Sequence, residues 1–418
     1  MKKTLKVAFL TVFTLVMLSL VFMVTGCGYT FSYNGIEGTE INEDGELIVY
    51  YTNGTSESLG VLQTKPGNNG GNTTINVSGS STSVATSKAA RSIVDVITDG
   101  GAGSGVIYKY NEKDDGYFII TNFHVVSYVD DFKRMFISDS IEVLLYGNEY
   151  AEGAISAKYV GGSMNYDIAV LFVKNNDIIK ASSATTVTVA DSNKITIGDT
   201  AIAIGNARGE GISVTSGVVS VDSETITMTA ADEKTTVDFR VLRTDAPINR
   251  GNSGGGLFNE NGDLIGIVNA KTIVDGVEGT GYAIPSTLAV NVADNIIDNC
   301  YGTENTSVKR ALLGITVSII DSNSVYDQEN GKIFIVETIY VVEATETNLF
   351  GSSIKPNDII KSITLDGKET LNVTRQFHVI DYLLQARVGD TGVLVVERAG
   401  NLVSLPFTIT EDCIVTYN

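Results

Sequence analysis

Short apolar runs separated by Gly, Asn and Asp fill the chain from Ser87 onward, and this rhythm restricts the fold more than any other feature. Such runs, bounded by turn-forming residues, are typical of β-strands. Helical periodicity is scarce until Thr287–Cys300, where Leu288, Val292 and Ile296 recur at helical spacing. The pattern predicts a mainly β fold, a barrel or a sandwich, closed by one helix. The predicted strands are Val106–Tyr110, Tyr117–Thr121, Ile141–Tyr146, Ile168–Val173, Thr200–Ile204, Gly217–Val221, Val237–Leu242, Leu257–Phe258, Leu264–Asn269 and Gly281–Ile284.

The 418 residues are enough for two or three domains, and the composition changes at several points along them. We predict a signal segment over residues 1–26, a tether over 27–86, a first strand-rich domain over 87–304 and a second over 305–418. The tether is rich in Gly, Ser, Thr and Asn and contains one predicted strand, Glu46–Thr52, in a small hairpin. Its last part, residues 64–86, has the composition of a linker. The second domain includes a helical stretch near Arg375–Ala386.

The first residues have the three parts of an export signal. Lys2, Lys3 and Lys6 form a basic start, an uncharged apolar run follows over Val7–Val24, and small residues precede Cys27. The order Val-Thr-Gly-Cys resembles the lipobox of bacterial lipoproteins, in which the cysteine is lipidated and becomes the new N-terminus. The alternative is an uncleaved transmembrane helix, because the run is just long enough to span a bilayer. Both interpretations place the rest of the chain outside the cytoplasmic membrane, and the first predicts attachment through a lipid on Cys27.

The formal net charge of -20 argues against nucleic-acid binding, which needs clustered Lys and Arg. It also argues against electrostatic docking on an anionic membrane. The chain has two histidines and three cysteines, none of them in a cluster with metal-ligand spacing, so we predict no metal and no cofactor. If Cys27 carries a lipid, Cys300 and Cys413 are left as candidates for a disulfide, a question that spacing alone leaves open.

One serine lies among glycines, in the segment Gly251-Asn252-Ser253-Gly254-Gly255. Glycines let a backbone turn sharply and leave room for a substrate carbonyl beside a hydroxyl, as a serine nucleophile requires. A glycine-rich turn between two strands is the plainer alternative when the segment is taken alone.

His124 and Asp167 both lie next to apolar runs that predict a partly buried position. His124 follows the run Phe118–Thr121, and Asp167 precedes the run Ile168–Val173. Taken singly, the first fits a structural histidine and the second a surface aspartate at the start of a strand. A nucleophilic serine, however, needs a base to take its proton and a buried carboxylate to orient that base. The order His124, Asp167, Ser253 is also the order found in enzymes of the chymotrypsin type.

Six motifs in the right order make the region from Ser87 to Cys300 similar to the HtrA (DegP-like) family of trypsin-like serine proteases. The resemblance implies a double β-barrel with the active site between the barrels. The motifs are T-N-F-H-V-V at Thr121–Val126, D-I-A-V-L at Asp167–Leu171, I-G-D followed by A-I-G-N within Ile197–Asn206, T-D-A-P-I-N at Thr244–Asn249, G-N-S-G-G at Gly251–Gly255 and G-Y-A-I-P at Gly281–Pro285.

The resemblance assigns a role to each of the chemistry-bearing residues. It makes Ser253 the nucleophile, His124 the general base and then the general acid, and Asp167 the residue that orients the imidazole. The N–H groups of Gly251 and Ser253 are expected to form the oxyanion hole.

The resemblance also predicts where a substrate binds. Pro247 lies in the region that forms the floor of the primary specificity pocket, and since no acid is there, a small or medium apolar side chain is expected to fit. Val268, Asn269 and Ala270 are expected to form an edge that pairs with the substrate backbone.

The second strand-rich domain resembles PDZ domains. Leu312, Leu313, Gly314 and Ile315 resemble the PDZ loop that binds a carboxylate, and Ile354–Ile360 resembles a second PDZ segment. In that family a C-terminal peptide is added to the sheet as a strand while N–H groups of the loop hold its carboxylate.

The sequence therefore predicts a membrane-anchored, exported serine endopeptidase that cleaves unfolded or damaged proteins, with a PDZ domain that captures or senses chain ends. The family resemblance also implies homotrimers. The alternative from another class is a surface adaptor that binds peptides without cleaving them. The intact set of His124, Asp167 and Ser253 argues against that alternative.

Overall fold

The computed structural model describes residues 36–41, 46–51, 56–64, 75–77, 81–147, 153–206, 211–270 and 280–417. The predicted signal segment and Cys27 lie outside the described residues. The chain divides into two compact units, Met1–Gly79 and Ser80–Asn418. Among the described residues, no helix has the length and the apolar character needed to cross a membrane.

The described residues of the first unit form a four-stranded antiparallel sheet, where the sequence predicted a tether with a single hairpin. The predicted strand Glu46–Thr52 corresponds to its second strand. Backbone pairing does not require apolar side chains, so a composition rich in Gly, Ser and Thr concealed the other strands. In sheet order these strands are β1 (Ile36–Ile41), β2 (Glu46–Tyr51), β3 (Ser56–Thr64) and β4 (Ile75–Val77).

The second unit begins with helix α1 (Ser81–Ala90), which is followed by the strands of a first closed barrel. The strands of this part are β5 (Ile93–Thr98), β6 (Gly101–Asn111), β7 (Gly116–Thr121), β8 (Ser127–Val129), β9 (Met135–Ile137), β10 (Ile141–Leu145), β11 (Ile155–Ser163) and β12 (Ile168–Lys174). The barrel order is β10-β11-β12-β7-β6-β5, and β8 and β9 form a separate hairpin. Two short helices, α2 (Phe123–Val126) and α3 (Asp177–Ala181), complete this part.

A second closed barrel follows, with the order β13-β14-β15-β18-β17-β16. A 3₁₀ turn at Ser192–Lys194 precedes it. Its strands are β13 (Thr200–Gly205), β14 (Ser213–Thr229), β15 (Thr236–Thr244), β16 (Gly256–Phe258), β17 (Leu264–Asn269) and β18 (Gly281–Pro285). The double β-barrel expected from the family resemblance is therefore confirmed.

A continuous apolar core joins the two barrels. Ile120 from the first barrel and Ile204 and Phe258 from the second are fully buried and pack in one cluster. The helix α4 (Ser286–Cys300) closes this cluster with residues spaced at helical intervals, including Val292. The predicted helix Thr287–Cys300 is thus confirmed to within one residue.

Helix α1 crosses the boundary that the sequence predicted at residue 87. Its sequence is rich in Ser and Thr, which favours a linker by composition. It is ordered by burial instead, because Ala85 and Ala89 are each 2% exposed and pack in the core between the barrels. Lys88, between them in the sequence, forms an ion pair of 2.5 Å with Asp263.

The C-terminal part has its own apolar core and one main antiparallel sheet in the order β20-β21-β22-β24-β25, with β23 paired to β22 and β19 paired to β26. Its strands are β19 (Val308–Ala311), β20 (Ile315–Asp327), β21 (Lys332–Ala344), β22 (Ile359–Leu365), β23 (Leu371–Asn372), β24 (Thr391–Arg398), β25 (Asn401–Thr408) and β26 (Ile414–Tyr417). Helix α5 (Phe377–Tyr382) and the 3₁₀ turn Leu383–Gln385 occupy the predicted helical stretch, and further 3₁₀ turns lie at Gly351–Ser353 and Glu411–Cys413.

A buried ion pair connects the C-terminal part to the second barrel. Arg240 and Asp381 lie 2.5 Å apart, and their side chains are 10% and 11% exposed. The guanidinium of Arg240 also stacks on the ring of Phe377, at 3.9 Å from its centroid. Nearby, Nδ2 of Asn295 in α4 donates to the carbonyl of Leu384 at 2.7 Å. The C-terminal part is therefore fastened to both the second barrel and α4.

Cys300 and Cys413 are free and buried. The thiol of Cys300 lies 3.5 Å from the carbonyl of Ser307, and that of Cys413 lies 2.9 Å from the carbonyl of Thr410. Burial raises the pKa of the Cys300 thiol to about 11, which makes it a poor nucleophile.

Candidate active site

The first barrel places His124 and Asp167 side by side. β7 ends at Thr121, and α2 follows almost at once with His124 as its second residue. β12 begins at Ile168, directly after Asp167, and pairs with β7 so that Ala169 faces Thr121. Because the end of one strand meets the start of the other, both side chains lie at the same rim of the barrel.

Ser253 reaches this rim from the second barrel, in the turn before β16. Its Oγ lies 2.9 Å from Nε2 of His124, whose Nδ1 lies 2.7 Å from Oδ2 of Asp167. Ser253 is 6% exposed, Asp167 is 3% exposed, and the side chain of His124 is 18% exposed. The three residues singled out in the sequence therefore meet in one hydrogen-bonded chain at the junction of the barrels.

The carboxylate of Asp167 accepts three hydrogen bonds. They come from the backbone N–H of His124 at 3.0 Å, from Nδ1 of the same residue, and from Nδ2 of Asn269 at 2.9 Å. The backbone of Asp167 has a left-handed φ of 49°, and its carbonyl accepts from Nδ2 of Asn122 at 2.9 Å. These donors offset the loss of hydration that a buried carboxylate suffers. Asn122 and Asn269 are thus positioning residues that the sequence analysis did not assign to this role.

The turn that carries Ser253 requires glycine at two positions. Gly251 and Gly254 have φ values of 98° and 83°, and a Cβ on Gly254 would overlap the carbonyl oxygen of Ser104. Within the described part of the chain, the N–H groups of Gly251 and Ser253 have no acceptor. Oγ of Ser253 accepts a hydrogen bond from the N–H of Ala270 at 3.1 Å.

The expected substrate-pairing edge does not exist at Val268. β17 lies between β16 and β18, and the Val268 N–H and carbonyl bond to Gly255 and Gly254. The prediction for Val268 is therefore wrong, because both of its backbone groups are already paired. The side chain of Asn269 is committed to Asp167, and the N–H of Ala270 is committed to Ser253.

Pro247 is exposed. Its carbonyl accepts a hydrogen bond from Oγ1 of Thr215 at 2.7 Å. The next residue, Ile248, is half-buried and packs against the core of the second barrel. Cδ1 of Ile248 lies 2.5 Å from the position that a Cβ on Gly281 would take. Ile248, and not Pro247, therefore turns its side chain toward the interior of the second barrel.

The predicted carboxylate loop lies at the start of β20. Leu312 is 37% exposed, Leu313 is buried, and Gly314 has a left-handed φ of 71°. The carbonyl of Gly314 accepts from the N–H of Thr345 at 2.8 Å, and Ile315 begins the strand. The N–H groups of Leu313 and Gly314 have no acceptor among the described residues.

His378, the second histidine of the chain, is buried in α5 far along the chain from the triad. Its Nδ1 accepts a hydrogen bond from the N–H of Thr374 at 3.2 Å. Burial, with the positive charges of Arg240 and Arg375 nearby, lowers the pKa of His378 from 6.5 to about 4. The imidazole is therefore neutral in the folded protein at neutral pH.

Acidification should weaken the fold through His378. The unfolded chain binds a proton on this imidazole below pH 6.5 and the folded chain only below about pH 4, so the free energy of unfolding should fall by up to about 3 kcal/mol between these values. Urea unfolding of Ser80–Asn418 across this range should show the loss. In the His378→Asn variant, whose Oδ1 can take the place of Nδ1, this part of the pH dependence should vanish. Identical pH dependence in parent and variant would contradict the assignment.

Comparisons with known proteins place these features in a family. Residues 103–267 match the trypsin-like peptidase domain family. The Lactobacillus helveticus protein described as "Serine protease Do-like HtrA" is 32% identical over 313 residues, which cover 72% of this chain and 67% of that protein. This chain belongs to the HtrA family of serine proteases.

A second HtrA relative, described as "Serine protease Do-like HtrA" from Bacillus subtilis (strain 168), is 33% identical over 314 residues. The match covers 72% of this chain and 62% of that protein, so the chain spans about three fifths to two thirds of the length of these relatives. Among solved structures, one described as "HtrA-type protease AlgW with tripeptide" is similar over 78% of this chain and 96% of that chain, at 27% identity and a TM-score of 0.49.

The region that matches the trypsin-like peptidase family is the region that holds the candidate site. The matched residues 103–267 include His124, Asp167 and Ser253. The family resemblance inferred from the six motifs is therefore confirmed.

Proposed function

We propose that this chain is an exported serine endopeptidase that hydrolyses unfolded or damaged proteins. One observation carries the proposal, the unbroken hydrogen-bonded chain from Asp167 through His124 to Ser253. An ionised carboxylate only accepts hydrogen bonds, so Asp167 keeps the imidazole proton on Nδ1 and leaves Nε2 free to accept the proton of Ser253. Membership of the HtrA family supports the same reaction.

In the proposed reaction, Oγ of Ser253 attacks the scissile carbonyl carbon while its proton passes to Nε2 of His124. The carbonyl oxygen becomes an oxyanion, and the N–H groups of Gly251 and Ser253 are its donors. Their lack of an acceptor among the described residues supports this role. His124 then protonates the leaving amine, and water hydrolyses the acyl-enzyme with His124 acting again as base.

We also propose that residues 305–418 form a PDZ-like module that binds C-terminal peptides. The N–H groups of Leu313 and Gly314 are available to a carboxylate, because the described residues offer them no acceptor. β20 is the first strand in its sheet and pairs with β21 on one side. An incoming peptide can therefore pair with its other side as an added strand.

The location and assembly of the enzyme belong to the same proposal. Residues 1–26 serve as a lipoprotein-type signal, and lipidated Cys27 anchors the chain to the outer face of a bacterial membrane. The proposed assembly is the homotrimer implied by the family resemblance. The proposed activity needs no metal or cofactor.

We propose that Ile248 lines the pocket for the residue before the cleaved bond, so replacing it with alanine should widen that pocket. Ile248 faces Gly281, so truncation opens space that a larger side chain can enter. Two peptides are compared, one with Phe and one with Val at the position before the cleaved bond. We expect kcat/KM for the Phe peptide, divided by kcat/KM for the Val peptide, to rise about 10-fold or more in the variant. Pro247→Ala is the matched control, since Pro247 is exposed and should leave the ratio unchanged. A change caused by Pro247→Ala and not by Ile248→Ala would contradict this pocket.

The proposed activity is tested with unfolded casein and the unit Ser80–Asn418. Cleavage should be blocked by diisopropyl fluorophosphate, and mass spectrometry should find the adduct on Ser253. A parallel reaction also contains a peptide that ends in a free carboxylate. This reaction shows whether cleavage requires a peptide bound to the PDZ-like module. Binding of that peptide without cleavage of casein and without an adduct would favour the adaptor function instead.

A further inference from the structure

Ser104 occupies a position in the first barrel that no catalytic role has explained. It lies in β6 between Gly103 and Gly105 and is fully buried. Its backbone N–H donates to the carbonyl of Ser253 at 2.8 Å, and its own carbonyl accepts from Oγ1 of Thr121 at 2.7 Å. Ser104 therefore joins the first barrel to the turn that carries the nucleophile in the second.

The hydroxyl of Ser104 makes two further hydrogen bonds across the same junction. Oγ accepts from the N–H of Asn206 and donates to the carbonyl of Gly251, each at 2.8 Å. A hydroxyl has one proton to donate. Because the Asn206 N–H occupies an acceptor site of Oγ, the proton of Ser104 is directed to the Gly251 carbonyl.

These bonds hold two carbonyls of the nucleophile turn, those of Gly251 and Ser253. The N–H groups of the same two residues are the donors assigned to the oxyanion hole. Gly251 has a φ of 98° and no side chain, so its local conformation is intrinsically free. The Gly251 carbonyl belongs to the peptide plane between Gly251 and Asn252, which connects the two planes that carry the donor N–H groups. A buried hydrogen bond to this carbonyl restrains backbone rotation at Gly251 and Asn252 and so limits the movement of both donors before substrate arrives.

We propose that Ser104 is a positioning residue for the oxyanion hole, acting through its hydroxyl on the carbonyl of Gly251. The proposal rests on the proposed peptidase function. It extends that function by naming a residue that touches neither the substrate nor the triad side chains. Its effect is on the developing oxyanion, so it should appear in kcat and in the binding of transition-state analogues, with little change in KM.

The test compares Ser104→Ala with Ser286→Ala. Ser286 is a matched control because it is also fully buried and its hydroxyl donates to one carbonyl, that of Ala190 at 2.7 Å, away from the nucleophile turn. On a short peptide substrate, Ser104→Ala should lower kcat about 10- to 100-fold, less than the loss of an oxyanion donor itself. Its affinity for a peptide boronic acid should fall by a similar factor. Ser286→Ala should leave both quantities within about twofold of the parent.

A second readout does not depend on hydrolysis. Amide hydrogen exchange in peptides that cover residues 249–255 should be faster in Ser104→Ala than in the parent or in Ser286→Ala. If the parent cleaves no substrate, the proposed peptidase function is wrong. The rate of amide hydrogen exchange still shows in that case whether Ser104 holds the turn. Unchanged exchange, or a kcat equal to that of Ser286→Ala, overturns the proposal. Should Ser104→Ala not fold, Ser104→Cys keeps a weak donor at the same position and should give an intermediate loss in kcat.

Discussion

Replacing Ser253 with alanine should lower kcat for casein hydrolysis by about 10⁶-fold, so that cleavage is no longer detected in an assay that follows the parent. The substitution removes the only atom that the proposed mechanism uses to attack the carbonyl carbon. It also leaves His124 without a partner at Nε2, because Oγ of Ser253 is the group 2.9 Å away. The N–H donors and the peptide-binding surfaces remain, so binding of uncleaved substrate should persist.

The measurement compares the parent, Ser253→Ala and Ser92→Ala under the same conditions. Ser92 is 1% exposed and its Oγ donates to the carbonyl of Ala89 at 2.7 Å, so this control loses a buried serine hydroxyl outside the site. Its activity should match that of the parent. Cleavage by Ser253→Ala at the parental rate would show that another residue is the nucleophile.

Replacing Asp167 with asparagine should lower kcat by about 10⁴-fold while the protein stays folded. The physical reason is that three donors converge on this carboxylate, two from His124 and one from Asn269. An amide offers one oxygen and an NH₂ group that can only donate. If the NH₂ faces Nδ1 of His124, the imidazole must carry its proton on Nε2, and it can no longer accept the proton of Ser253.

The matched control is Asp358→Asn in the C-terminal part. Asp358 is 1% exposed and also accepts three hydrogen bonds, from Nε and Nη2 of Arg398 and from the N–H of Lys355. This variant should lose stability by a comparable mechanism and keep its kcat on a short peptide. An equal loss of kcat in both variants would mean that destabilisation explains the result for Asp167→Asn.

The barrels and the triad could be predicted because their signals are local. The predicted strand Tyr117–Thr121 differs from the observed β7 by one residue, since an apolar run between turns determines both. His124, Asp167 and Ser253 each lie in a short motif, and the order of these motifs along the chain indicates a protease of the chymotrypsin type. What could be inferred was therefore the set of reacting groups and the type of fold around them.

The residues that support the triad escaped prediction because their partners are distant in sequence. Asn269 meets Asp167 across 102 positions, and Ile248, in the loop after β15, meets Gly281 in β18. No local pattern of apolar and polar residues reports such a contact. The error at Val268 has the same origin, because an apolar strand does not reveal whether it has one neighbour in the sheet or two.

The buried pair of Arg240 and Asp381 has a practical consequence for truncation experiments. Deleting residues 305–418 would remove the carboxylate from Arg240 and would also remove Leu384 from its contact with α4. The deletion would also uncover Arg240, which now stacks on Phe377, and the apolar surface of α4 that Leu384 covers. A shortened chain would therefore differ from the parent in the stability of its second barrel as well as in its ability to bind peptides. Point changes in the loop at Leu313 and Gly314 separate these two effects, and a deletion does not.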